Sequence, residues 1–160
     1  MINQAVVPLV TGRVSGITDA TVTVPMNSSI GGGTVFAGLQ NYDSLLFLIN
    51  VTAAGTATGT VNIYIQDSWD GGTTWDDMVS SVQLTLGTTT GTQRFAIQGR
   101  IATSITQGTA VSNAALAAGT VRSGPFGERI RIREKVAGTS GSPVGATYTI
   151  TMTPCRSENN

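Results

Sequence analysis

Four carboxylates crowd one short stretch of this chain, at Asp67, Asp70, Asp76 and Asp77. Clustered carboxylates are the raw material of a calcium site or of paired acid–base hydrolysis. Their spacing is not that of an EF-hand loop, and Asp70 is placed to accept backbone N–H groups across a turn. Turn-capping or solvated aspartates are therefore the plainer reading. Three arginines at alternate positions, Arg129, Arg131 and Arg133, are the second concentration of charge. Alternate residues of a strand make a stripe and not a convergent cluster, so this reads as an exposed or subunit-facing edge. The chain has no histidine, which removes the commonest general base and metal ligand. Cys155 and the serines then lack a partner base for nucleophilic catalysis. The run Gly31, Gly32, Gly33 is not followed by the Gly-Lys-Ser/Thr of a phosphate loop. No catalytic residue, metal or cofactor is expected.

Composition points the same way. The chain has 160 residues with a formal net charge of +0, and only 11% of its residues are charged, against about 25% in an average domain. Binding to nucleic acid or to an acidic membrane surface is therefore not expected. Low charge with 20 glycines and abundant threonine suits strands and turns. Nearly neutral surfaces also associate readily. Lys135 is the only lysine, and arginine is the cation favoured at protein interfaces. A single cysteine forms no internal disulfide, which fits a reducing compartment. The sequence has no transmembrane-length apolar run and no signal-peptide pattern at its start.

The elements that must position these residues read as strands. Residues 20–26 alternate Thr21 and Thr23 with Val22 and Val24. Residues 42–51 are apolar on both faces, as expected of a strand in the sandwich centre or a subunit contact. Residues 61–66, 79–86, 94–98, 129–135 and 147–152 alternate. Val82, Leu84 and Leu86 are expected inward, as are Phe95 and Ile97, Ile130 and Ile132, and Tyr148, Ile150 and Met152. Seven or eight short strands predict an all-β, single-domain antiparallel β-sandwich, jelly-roll-like. The expected limits are an extended N-terminal arm over residues 1–19, the sandwich over 20–155 and a C-terminal tail over 156–160. Residues 99–127 form a long insertion, and the run from Ser112 to Gly119 has the cap and stop of one short helix. The arm, with Val6, Val7 and Leu9, and the insertion are the expected docking elements, together with the arginine stripe.

Between two strands lies Ser68-Trp69-Asp70-Gly71-Gly72-Thr73-Thr74-Trp75. Asp70 can accept turn N–H bonds, Gly71 and Gly72 can take positive φ, and Trp75 can fold over the loop as an apolar plug. The structural hairpin comprises Ser68, Asp70, Gly72, Thr74 and Trp75. It resembles the Asp-box of sialidases and other β-propellers, but the absence of repeats argues against a propeller. Sialidases also use an arginine cluster and a tyrosine nucleophile on much longer chains.

The hairpin with its flanking strands, and the later run from Gly124 to Arg133 with the closing strand Tyr148 to Met152, resemble small virion proteins of tailed bacteriophages. Among these are head decoration (cement) proteins and neck or tail components. The resemblance implies a homotrimer of β-sandwiches that binds the major capsid protein on the outside of the head and is assembled in the host cytoplasm. The alternative is a carbohydrate-binding or adhesin-like module using the hairpin loop, with Trp69, Tyr64 and Tyr42 as stacking candidates. With 6% aromatic residues, that platform would be small, and Trp69 fits the hairpin base or an interface as well.

Overall fold

A computed structural model describes residues 6–16, 19–22, 24–27, 31–33, 35–39, 42–98, 115–122, 124–140 and 145–156. It is an all-β sandwich of two antiparallel sheets. The first sheet has the order β1-β12-β6-β10, from Val7–Val14, Thr147–Cys155, Ser44–Ala53 and Gly91–Gln98. The second has the order β2-β11-β7-β8, from Ala20–Val22, Arg129–Ser140, Thr58–Ser68 and Asp76–Ser80. Two short strands extend it: β5 (Val35–Ala37) continues along β11 beyond β2, and β9 (Leu84–Thr85) continues along β7 beyond β8. A separate ribbon pairs β3 (Val24–Asn27) with β4 (Gly31–Gly33).

Period-two side chains build the interior. Leu45, Phe47, Ile49 and Val51 of β6 meet Tyr148, Ile150 and Met152 of β12 in one apolar cluster with Val61, Ile63 and Ile65 of β7 and Ile130 and Ile132 of β11. Strand β6 is one-sided: Leu46 is 43% exposed and Leu48 is half-buried on the outer face. The two-sided apolar run is thus a core face backed by an open apolar face.

Several expectations change. Residues 7–14 are not an arm but the edge strand of the first sheet, with Val7 opposite Met152 and Val14 opposite Thr147. A register shift between Pro8 and Val10 turns both Leu9 and Val10 inward, and both are buried. That bulge breaks the alternation a sheet strand normally shows. The stretch 20–26 divides between β2 and the ribbon.

Val82 is exposed, unlike Leu84 and Leu86. The chain leaves the ladder at Ser81, whose N–H donates to the Ile63 carbonyl and whose hydroxyl accepts the Ile63 N–H. Of the segment expected as a helix, residues 112–114 lie outside the described residues. The remainder is a turn at Ala117–Thr120, which packs along β8 through Ser80 N–H to Thr120 O and Arg122 N–H to Met78 O. The described end of the insertion thus covers a sheet edge. Among the described residues no helix is long and apolar enough to cross a membrane.

Candidate functional site

The hairpin between β7 and β8 is built by side chains bonding to backbone. The Ser68 hydroxyl donates to Asp70 Oδ1 at 2.8 Å and accepts the Gly72 N–H at 2.8 Å. Asp70 accepts the Thr73 N–H at 3.0 Å, the Thr74 N–H at 2.8 Å and the Thr74 hydroxyl at 2.7 Å. These donors, the Thr74 N–H foremost and then the Thr74 hydroxyl, hold the Asp70 carboxyl at about 2. Gly71 and Gly72 take φ of 73° and 98°, conformations that side-chain-bearing residues rarely adopt.

The Trp75 ring folds back over this loop. Its indole N–H donates to the Gly72 carbonyl at 2.9 Å, and the Arg131 guanidinium covers its face at 4.5 Å. Trp75 is half-buried, while Trp69, the first residue after β7, is 49% exposed. The hairpin residues expected to act together therefore do so, as a self-contained turn.

The aspartates do not share one ligand site. Asp70 is consumed by the turn. Asp77 accepts from Gln66 Nε2 at 2.8 Å and from the Leu116 N–H at 3.4 Å. Asp67 is buried and accepts from Arg122 Nη1 at 2.9 Å and from the Gly127 N–H at 2.7 Å. Gly127 has no room for a side chain, since a Cβ there would lie 2.1 Å from the Ser68 carbonyl oxygen. Arg122 also donates to the Pro125 carbonyl, so one ion pair ties Arg122, Pro125 and Gly127 to the base of the hairpin. Among the described residues no group of three or more acidic, cysteine or histidine side chains is placed to hold a metal ion.

The arginine stripe crosses a sheet and does not run along an edge, because β11 lies between β7 on one side and β2 with β5 on the other. Its members differ. Arg129 pairs with Glu128 at 3.2 Å. Arg131 donates to Gln66 Oε1 at 2.7 Å and stacks on Trp75. Arg133 and Lys135 are exposed and have no ion pair among the described residues. Of the expected interface residues at the start of the chain, Val6, just before β1, is 59% exposed, Val7 packs partly against the core, and Leu9 belongs to the core and is unavailable for docking.

A buried polar network lies outside the expected site. Glu134 is fully buried between the sheets, where it accepts from Arg13 Nε at 2.8 Å, Arg13 Nη2 at 3.0 Å and the Tyr148 hydroxyl. The Gly16 N–H adds a longer contact at 3.4 Å. The Glu134 hydrogen bond raises the Arg13 guanidinium above its ordinary value, and burial, then the Glu134 charge, raises the Tyr148 hydroxyl. The signal for Glu134 was its parity with Ile130 and Ile132, which turns it inward.

Tyr64 is in β7 of the second sheet, whereas Tyr42 lies outside the strands, just before β6 of the first sheet, and faces Arg156 at 5.3 Å. They and Trp69 do not belong to one element. No family model, curated protein sequence or solved structure matches the chain.

Proposed function

We propose that this chain is a non-catalytic structural subunit of a virion, a decoration (cement) protein that packs as a homotrimer on the outer surface of a bacteriophage head against the major capsid protein. The observation that carries the structural reading is the outer face of the first sheet. Across its strands run three rows: Pro8, Thr151, Leu48 and Arg94; Thr153, Leu46 and Ala96; and Thr149, Asn50 and Thr92. Arg94 is the single charge in these rows. A broad, nearly uncharged face with Leu46 at its middle suits burial against another protein surface. The virion setting is supported by the likeness of the hairpin and its flanking strands to tailed-phage proteins. A neck or tail position uses the same face.

With residues 7–14 paired in the sheet, the docking surface is on the sandwich itself. Leu46→Glu places a charge at the centre of the face without entering the core. The purified parent chain should scatter light as a trimer and sediment with phage heads lacking decoration. The Leu46→Glu chain should remain folded but monomeric and stay in the supernatant. A strictly monomeric parent at micromolar concentration that fails to bind heads overturns the proposal.

A further inference from the structure

The opposite sheet carries a different surface. A cleft of about 310 Å3 opens on its outer face, walled by Asp19, Tyr64, Gln66, Asp77, Arg133 and Lys135. That volume is at the small end of ligand pockets, which run from about 300 to 1,000 Å3, so it suits a small ring-shaped ligand better than a folded partner. Arg133 stands opposite Tyr64 across the β11–β7 ladder, and Lys135 stands one pleat further along opposite Asn62.

The charges in this cleft are unevenly satisfied. Arg13, Arg122, Arg129 and Arg131 each hold an acidic or amide partner, whereas Arg133 and Lys135 hold none among the described residues. The two carboxylates in the cleft bond to N–H groups: Asp19 accepts the Val136 N–H at 2.8 Å, and Asp77 accepts from Gln66 and Leu116. Burial and then repulsion from Arg133 lower the Arg131 guanidinium below its usual value, against the attraction of Asp77. Arg133 and Lys135 thus have no ion pair among the described residues, in a cleft they share with Asp19 and Asp77, whose bonds go to N–H groups. The flanking carboxylates have remaining lone pairs for hydroxyl donors, and Tyr64 offers an aromatic wall for the apolar face of a sugar.

We propose that this cleft binds one acidic sugar unit of an anionic polysaccharide, with its carboxylate between Arg133 and Lys135 and its hydroxyls on Asp19 and Asp77. A phosphodiester run or an acidic peptide offers an anion without the set of ring hydroxyls that Asp19 and Asp77 would accept. A sugar phosphate presents a related anion, and the test separates the two. The proposal does not rest on the virion reading, and either can fail alone.

The test is calorimetric titration of the full chain with oligogalacturonate, with its methyl ester as the uncharged analogue, and with glucose 6-phosphate. Oligogalacturonate should bind, and Arg133→Gln combined with Lys135→Gln should weaken it by about tenfold or more. The ester should bind as weakly to the parent as the acid does to the variant. Arg94→Gln, on the other sheet, should leave affinity unchanged. In the unaltered chain, the acid should shift the NMR signals of Tyr64 and Arg133, a readout independent of whether the variant folds. Equal binding by parent and variant, equal binding of acid and ester, or no binding of the acid at millimolar concentration overturns the proposal. Tighter binding of glucose 6-phosphate than of oligogalacturonate overturns the carboxylate assignment.

Discussion

The Tyr148 hydroxyl on β12 donates to the Glu134 carboxylate on β11, so a polar tie crosses the sandwich from one sheet to the other. Arg13 from β1 closes the network with a two-pronged bond, its side chain 31% exposed while that of Glu134 is fully buried. Three strands thus meet on one carboxylate. Such a network contributes less by its own attraction than its loss costs, because a partner left behind is buried without compensation.

Glu134→Gln should therefore lower stability by about 3 kcal/mol, and Tyr148→Phe by about 1 to 2 kcal/mol. Urea unfolding with an unchanged slope would report both. The raised Tyr148 hydroxyl also sets a sign for pH. Its contribution is complete below the ordinary tyrosine value of 10.0 and is lost as pH climbs toward the higher folded value. Stability should fall above about pH 10, less steeply in Tyr148→Phe. An identical alkaline limb in the two proteins would contradict this.

Arg122→Met should cost about 3 to 5 kcal/mol, because it leaves the Asp67 carboxylate buried and unpaired. Adding Asp67→Asn should recover much of that loss, giving a large coupling in a double-mutant cycle. The Gly127 amide, which donates to Asp67 Oδ2, should exchange its hydrogen faster in Arg122→Met. Independent, additive losses would show that the pair does not act as one unit.

Asp70 should titrate at about 2, below its ordinary 3.8. A depressed carboxyl adds stability that is present above its unfolded value and lost as pH falls through the folded one. The hairpin should therefore loosen on acidification from about pH 4 to pH 2. Carbon-detected NMR of the Asp70 carboxyl would measure the midpoint, and Asp70→Asn should remove this acid step. A midpoint near 3.8 would mean that the Thr74 and Ser68 bonds do not persist in solution.

Trp75→Ala should cost about 2 kcal/mol, less than the 3 to 5 typical of a core ring, because the indole is only half-buried. Trp75→Phe should lose about 1 kcal/mol with the bond to the Gly72 carbonyl. Gly72→Ala should cost about 1 to 2 kcal/mol, since φ there is +98° and the new Cβ would lie 3.3 Å from the Trp75 ring. Thermal unfolding would rank the three.

The parts of this fold that were legible in the sequence are those whose cause is local. The hairpin was legible because Ser68, Asp70, Gly72 and Trp75 bond within their own turn. The strands holding Phe47, Ile63, Ile132 and Ile150 were legible from alternation. Val82 was misplaced because the alternation continues through a point where Ser81 bonds the chain out of the ladder. Strand β1 was hidden by its bulge, which puts Leu9 and Val10 on the same side. The ion pairs Arg13–Glu134 and Arg122–Asp67 join positions far apart in sequence, and periodicity shows that a side chain turns inward but not what it meets. For the same reason Arg133 could be placed on an outer face, while Asp19 and Asp77 could not be placed around it.

The pairing of β1 with β12 also bears on how the chain is made. On the ribosome, Val7–Val14 emerges before the other described strands, and its ladder partner, Thr147–Cys155, emerges after them. Until then β6 has an open side as well, because β12 is the strand that fills the gap between β1 and β6. The nascent chain therefore presents the segment Leu45-Leu46-Phe47-Leu48-Ile49 on an unfinished sheet, a site where neighbouring nascent chains can join edge to edge. Completing the sheet requires the pairing most distant in sequence among the described strands, an entropic step that slows folding. Expression at low temperature or with a holding chaperone should raise the soluble yield more than any change to the finished surface.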